Sequence, residues 1–252
     1  MERVKVAAVQ AAPVWLDREA TIDKVIALTE QAAAAGAGLV AFPEAFVLGY
    51  PDWVWRTRPW DQHATDLYAR LLEQAVVVGS TATTALADAA GRLGVWLSVG
   101  VDELDTSSTT IYNTLLHFAP DGTLAARHRK LMPTGGERLV WGNGDGSTLT
   151  TLDTPFGRLG GLICWENYMP LARAALYSQG IDIYLAPTWD NSDVWEPTLR
   201  HIAKGGRGVR RRCDCLHPGR GRPDRPARPR RALPRPRRLA LEREHRDHRP
   251  RR

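Results

Sequence analysis

The chain changes composition abruptly at Gly205, and that break limits what can fold. All 9 Trp, 6 Tyr and 4 Phe lie before it. After it come mostly Arg, Pro, Gly, Ala and His, with Pro223, Pro226, Pro229, Pro234 and Pro236 too closely set for a regular helix or an interior strand. Such a segment cannot bury enough apolar area to offset its ordering entropy. A folded domain is therefore expected from residues 1–204, and a disordered Arg/Pro-rich tail from 205–252. Charge divides at the same point. Residues 1–204 hold 16 Lys+Arg and 23 Asp+Glu, a net −7, while 205–252 hold 18 Arg and 5 acids, a net +13.

A basic tail suggests an arm for nucleic acid or acidic lipid. A stacking arm would carry aromatics, and this one has none. The break also falls inside an apparent helix rather than at a linker. Arg, Pro, Ala and Gly are the residues whose codons are rich in G and C. The expectation is therefore out-of-frame text from a GC-rich gene, with no nucleic-acid partner. Cys213-Asp214-Cys215 with His217 offers too few ligands, too tightly spaced, for a structural zinc site, so no metal is expected.

The length suits one α/β domain with a sizeable core. No apolar run is long enough to span a bilayer, and Met1 leads straight into a strand pattern without the layout of a signal peptide. Three cysteines do not make a disulfide framework, so the expected compartment is the cytoplasm.

Hydrophobic periodicity orders the body. Val4–Gln10 reads as a strand, Asp17 as the cap of a helix through Ile22, Val25, Ile26 and Thr29, and Gly36 with Gly38 as its stop. Leu39–Phe42 is a second strand, which makes a βαβ opening. An aromatic loop, residues 45–55, follows; it either lines a pocket or folds back on the core. Helices are predicted over Ala64–Gln74 and Thr81–Arg92, the second ending at Gly94, and strands over Val95–Val101 and Ile111–Phe118, with a tight turn at Asp121-Gly122. Strands at Ser147–Leu152 and Arg158–Ile163 flank a turn at Thr154–Gly157. A helix over Tyr168–Ser178, a strand over Ile181–Ala186 and a helix from Asp193 to about Lys204 complete the series. Strands and helices alternate with hairpins between, which predicts a mixed sheet with helices outside.

One stretch invites chemistry. Gly160-Gly161-Leu162-Ile163-Cys164-Trp165-Glu166-Asn167 is an apolar run ending in a cysteine followed at once by polar residues. A cysteine there is either packing or a nucleophile at the mouth of a site. Glu44, Lys130 and Glu137 also stand at strand ends or adjoining loops. Together the four suit attack on an electrophilic carbon. A thiol is largely protonated at neutral pH and needs a base, a role open to Glu44. Lys130 suits stabilisation of developing negative charge, and Glu137 suits orienting Lys130 or a water. Glu166 is a candidate base by adjacency alone and is assigned a supporting part.

These residues sit in motifs that resemble the nitrilase superfamily, and within it the nitrilase branch. The motifs are Phe42-Pro43-Glu44-Ala45, Gly49-Tyr50-Pro51, His128 to Thr134, Glu137-Arg138, Trp141-Gly142, Cys164 to Pro170 and Ala186-Pro187-Thr188-Trp189. They occur in family order across about residues 3–204. The resemblance implies a four-layer α-β-β-α sandwich, with Glu44, Lys130 and Cys164 as a catalytic triad and Glu137 as a second glutamate. It implies hydrolysis of a nitrile to the acid and ammonia through a thioimidate and a thioester, without metal or cofactor. Tyr50, Trp165 and Trp189 are expected at the substrate, within a wider set of Trp53, Trp55, Trp60 and Trp141 divided between pocket and core. Family members form homodimers or larger homo-oligomers. In the family, further core strands follow the helix ending near Lys204. Their replacement here would leave sheet edges and apolar faces uncovered, which predicts low solubility, impaired activity and a doubtful oligomer. Two other functions fit parts of the sequence. One is an amidase or carbamoylase of the same superfamily, and the other a catalytically dead domain with a basic nucleic-acid-binding tail.

Overall fold

The computed structural model describes residues 3–206 and 211–212. Strand β1 (Val6–Ala8), helix α1 (Arg18–Ala34) and strand β2 (Leu39–Ala41) form the expected parallel βαβ unit. Asp17 caps α1 by accepting from the Ala20 amide at 3.0 Å. Helices α2 (Gln62–Gln74) and α3 (Thr81–Leu93) follow, and Gly94 ends α3 in the left-handed conformation, φ 62°. Three antiparallel strands then complete a five-stranded sheet in sequential order: β3 (Trp96–Asp105), β4 (Thr110–Phe118) and β5 (Leu124–Arg129).

A second sheet holds β6 (Leu152–Thr154), β7 (Gly157–Gly161), β8 (Ile183–Leu185) and β9 (Arg211–Arg212). Helix α4 (Pro170–Ser178) lies between β7 and β8 in sequence, and α5 (Trp195–Gly205) follows β8. The short β9 pairs in parallel with β8, Ile183 opposite Arg211. The other residues after Gly206, including Cys213, Cys215 and His217, lie outside the described residues.

Strand alternation divides the first sheet into two faces. Val40, Leu97, Val99 and Val101 join Leu116 and Phe118 in one core cluster with Ile22 and Val25 of α1 and Leu86 and Ala90 of α3. Leu39, Ala41 and Trp96 instead cluster with Leu159, Ile183 and Leu185 of the second sheet and with Leu176 of α4 and Ile202 of α5. The two sheets thus face each other with helices outside, the layered arrangement the family resemblance implied. Two sheets replace the one mixed sheet expected from periodicity alone, because alternation does not say which strands share a sheet.

The inward face of β3 and β4 carries polar or small residues around Leu115, where the outward face is apolar. The pairs Ser98–His117, Gly100–Leu115 and Asp102–Asn113 lie on it. Ser98 Oγ is 2.8 Å from His117 Nδ1. Burial, reinforced by the neighbouring His128, pushes the His117 imidazole from 6.5 down to about 3. It stays neutral in the fold while an unfolded chain takes up a proton below about pH 6.5. Its contribution to stability is therefore complete above that pH and lost as pH falls toward 3, at about 1.4 kcal/mol per pH unit. Urea denaturation at pH 7 and pH 5 should show the loss. His117→Gln should flatten it by about 2 kcal/mol over that interval; an unchanged pH dependence in the variant would refute this assignment.

Several boundaries differ from the sequence reading, and three of them have a clear local cause. Ser147–Leu152 is not a strand. Asp145 accepts from the Ser147 amide at 2.9 Å and closes a 3-10 turn over Gly146–Thr148, which delays the strand to Leu152. Residues Cys164–Tyr168 form a 3-10 turn, and α4 starts at Pro170, where a missing N–H costs nothing. Helix α5 starts at Trp195 rather than Asp193, because Asp190 holds the Ser192 amide and hydroxyl in the preceding loop. Among the described residues no helix is long and apolar enough to cross a membrane.

Candidate active site

Each site residue is placed by a local feature of the chain. Glu44 follows β2 on a segment lying directly against β3. A side chain at Gly100 would put its Cβ 2.2 Å from the Pro43 carbonyl oxygen and 2.6 Å from the Ala45 nitrogen, so only glycine permits that approach. Lys130 continues the alternation of β5. His128 faces inward opposite Leu115, and Lys130, two residues on, faces inward too, its amide bonded to the Asn113 carbonyl at 2.8 Å. Glu137 lies in the 3-10 turn Gly135–Leu139 and reaches back to the residue that precedes it, its Oε2 accepting from the Thr134 amide at 2.6 Å.

Cys164 extends the line of β7. The amides of Leu162 and Cys164 bond to the carbonyls of Leu185 and Pro187 at 3.0 and 2.8 Å, so β7 and β8 stay paired up to the thiol. The Cys164 backbone is left-handed, φ 51°, a conformation that costs a non-glycine residue about 1–2 kcal/mol. Side-chain bonds hold it there. Asn167 Nδ2 donates to the carbonyls of Leu162 and Cys164 at 3.0 and 2.8 Å, and Tyr184 holds Asn167 Oδ1 at 2.8 Å.

Lys130, Glu44 and Glu137 meet in a buried cluster, 0, 1 and 2% exposed. The ammonium donates to Glu44 Oε1 at 2.8 Å and to Glu137 Oε2 at 2.7 Å. Glu44 also accepts from Asn113 Nδ2 and from the Trp189 amide, both at 2.8 Å. Glu137 accepts from the Tyr50 hydroxyl at 2.7 Å, and Trp55 Nε1 donates to that hydroxyl at 2.9 Å. Burial pushes the Glu44 carboxyl up and the Glu137 charge adds to it, against the pull of Lys130. Burial disfavours the Lys130 ammonium, but Glu44, Cys164 and Glu137 outweigh it, so the lysine is held above its ordinary range. The Cys164 thiol is raised by burial and then by Glu44, while Lys130 and a bond from Thr188 oppose the rise. Burial thus favours the protonated form of both the thiol and the Glu44 carboxyl.

The thiol opens on a cavity of about 650 Å³, lined by Tyr50, Trp55, Glu137, Cys164, Trp165 and Trp189 among others. Tyr50 and Trp189 stack face to face, 5.3 Å between centroids and 4° between planes. Trp53 and Trp141 are buried in the core, and Trp60, 98% exposed, borders a different cavity. The aromatic loop therefore does both things its composition allowed. Tyr50 and Trp55 reach the cavity, and Phe46 and Trp53 pack inside.

All seven predicted site residues are brought to this cavity or to the cluster beneath it. Glu166 is turned away from the thiol. Its carboxylate accepts from the Ile163 and Leu131 amides, each at 2.6 Å, and His128 Nε2 is 3.1 Å from it. Sequence reasoning gave no site role to Asn113 or Thr188. A polar residue inside an apolar strand was the only signal for Asn113, and Thr188 was named only within the motif Ala186–Trp189, with no role given to it. Among the described residues no group of three or more His, Cys, Asp or Glu is arranged to hold a metal.

Two facing sheets thus bring a buried lysine between two glutamates, beside a cysteine at a strand end. The chain belongs to the carbon–nitrogen hydrolase family, within the nitrilase superfamily, the family matching residues 5–207. An aliphatic nitrilase of Sinorhizobium fredii (strain HH103) is 51% identical over 82% of this chain and 67% of its own length. Nitrilase 2 of Arabidopsis thaliana is 43% identical over 84% of this chain, and the bifunctional nitrilase/nitrile hydratase NIT4 of Oryza sativa 44% over 81%. The chain spans 64 and 58% of the lengths of those two. Among solved structures, Saccharomyces cerevisiae Nit3, a member of branch 10 of the superfamily, superposes with a TM-score of 0.66 at 26% identity, covering 81% of this chain and 72% of that one. An amidase from Nesterenkonia sp. shares the fold, with a TM-score of 0.64 at 21% identity over 80% of this chain and 72% of that one.

Proposed function

We propose that this chain hydrolyses a small-molecule nitrile to the carboxylic acid and ammonia, with Cys164 as nucleophile. The observation that carries the reading is Lys130, fully buried and bridging Glu44 and Glu137, beside a thiol open to an aromatic cavity. Glu44 takes the thiol proton as Sγ adds to the nitrile carbon, and the proton passes to the nitrile nitrogen, giving a thioimidate. Water adds to that carbon, ammonia leaves, and a thioester remains. A second water releases the acid and returns the proton to Sγ. Two of the three ammonium protons of Lys130 are taken by the glutamates, and the third is directed to the charge that develops at nitrogen or oxygen. Glu137 orients Lys130, and Tyr50, Trp165 and Trp189 hold the substituent of the nitrile. A thiol nucleophile suits the reducing cytoplasm. Residues 1–204 carry this chemistry.

Ammonia release by the full chain from a nitrile and from its matching amide tests the reading. The expected result is turnover of the nitrile that exceeds turnover of the amide, and slower than an intact relative because of the altered C-terminus. Faster turnover of the amide would make the chain an amidase, and no turnover of either substrate would refute the proposed activity.

A further inference from the structure

Asp102 and Asn113 are direct partners across β3 and β4, so their side chains leave the same inward face. Both are fully buried. Each keeps one oxygen that meets no donor, Oδ2 of Asp102 and Oδ1 of Asn113. Their other polar atoms are committed. Trp141 Nε1 donates to Asp102 Oδ1 at 2.6 Å, and Asn113 Nδ2 donates to Glu44 Oε1 at 2.8 Å. The second bond sets the amide orientation, because an ionised carboxylate only accepts. Turning the amide over would place oxygen against oxygen. Asn113 is thus fixed with its acceptor end unserved, and its cross-strand partner is a carboxyl with one oxygen to spare.

An ionised Asp102 would leave two buried acceptors unsatisfied and a buried charge without a counter-ion. We propose that Asp102 is a neutral carboxylic acid whose Oδ2–H donates to Asn113 Oδ1, completing the chain Trp141–Asp102–Asn113–Glu44 that positions Glu44. One proton serves both unpartnered oxygens. The groups facing Asp102 agree with a neutral form. Trp141 offers a single N–H, Asn113 is uncharged, and Glu44, the neighbouring charge, is negative. Lys130, 5.5 Å from the Trp141 ring, is taken up by the two glutamates. Burial holds the Asp102 carboxyl well above the usual range, and the charge of Glu44 adds to that, against the bond from Trp141. A neutral Asp102 also keeps another negative charge away from Cys164, where it would oppose thiolate formation. The positioning role rests on the reading of Glu44 as the base; the protonation state does not.

Infrared difference spectroscopy of the full chain against Asp102→Asn at pH 7 tests the proton. The expected result is the carbonyl band of an un-ionised carboxylic acid, lost in the variant. Its absence, or its persistence in Asp102→Asn, would overturn the proposal. Carboxyl-labelled aspartate read by carbon NMR on the unsubstituted chain decides the same point without a variant. One aspartate should keep the protonated shift at pH 7, and ionised shifts throughout would overturn it. For positioning, kcat on a nitrile should fall about tenfold in Asp102→Leu with KM little changed. It should recover in Asp102→Asn, whose amide both donates to Asn113 and accepts from Trp141. Equal losses in the two variants would refute the positioning role. A parent chain that turns over no nitrile would refute the activity while leaving the spectroscopic result intact.

Discussion

Cys164→Ala is expected to lower ammonia release from a nitrile by on the order of 10⁴-fold or more. Alanine keeps the Cβ and so the backbone demands of the site, including φ 51°. The bonds that hold the turn come from Asn167, Tyr184 and Glu166, none of which uses the thiol. Stability should therefore change by about 1 kcal/mol or less, and the loss should fall on chemistry. Rapid-quench intact mass gives a second readout. The parent should carry a covalent acyl adduct during turnover, and the variant none. A variant retaining more than about one hundredth of the parent rate would remove Cys164 from the role of nucleophile.

Glu166→Ala is expected to destabilise the fold by about 3–5 kcal/mol. The carboxylate is 1% exposed and joins two segments that carry different halves of the site. Its oxygens accept from the amide of Leu131, next to Lys130, and from that of Ile163, next to Cys164. His128, itself 3.0 Å from Thr148 Oγ1, braces the same carboxylate. Alanine would leave two amides and an imidazole buried without an acceptor. Glutamine should recover only part of the loss, because its NH₂ group turns a donor toward one of the two amides. Equilibrium unfolding in urea measures both variants. A loss under 1 kcal/mol in the alanine variant would show that Glu166 does not fasten these segments together.

Much of the local architecture was legible because it depends on near neighbours. The Asp17 cap, the left-handed stop at Gly94 and the turn at Asp121-Gly122 each rest on a few adjacent residues. So does the βαβ opening. Ser147–Leu152 was misread because its apolar and β-branched residues suit a strand, while the Asp145 side chain bonded the backbone first. The exchange of one mixed sheet for two had a different cause. Alternation in β3 marks two faces but does not reveal that a second sheet covers one of them.

The sequence by itself determined which reactive side chains stand at the ends of elements, Glu44, Lys130, Glu137 and Cys164, and its ordered motifs tied them to one family. Tertiary structure alone decided that they meet. Lys130 and Glu44 are 86 positions apart, and the Trp189 amide reaches Glu44 across 145. Contacts at that range follow from strand register and sheet-on-sheet packing, which no local pattern encodes. The same holds for Asp102 and Asn113. Each is an unremarked polar residue in its own strand, and only the pairing of β3 with β4 sets two unserved oxygens on one face behind Glu44.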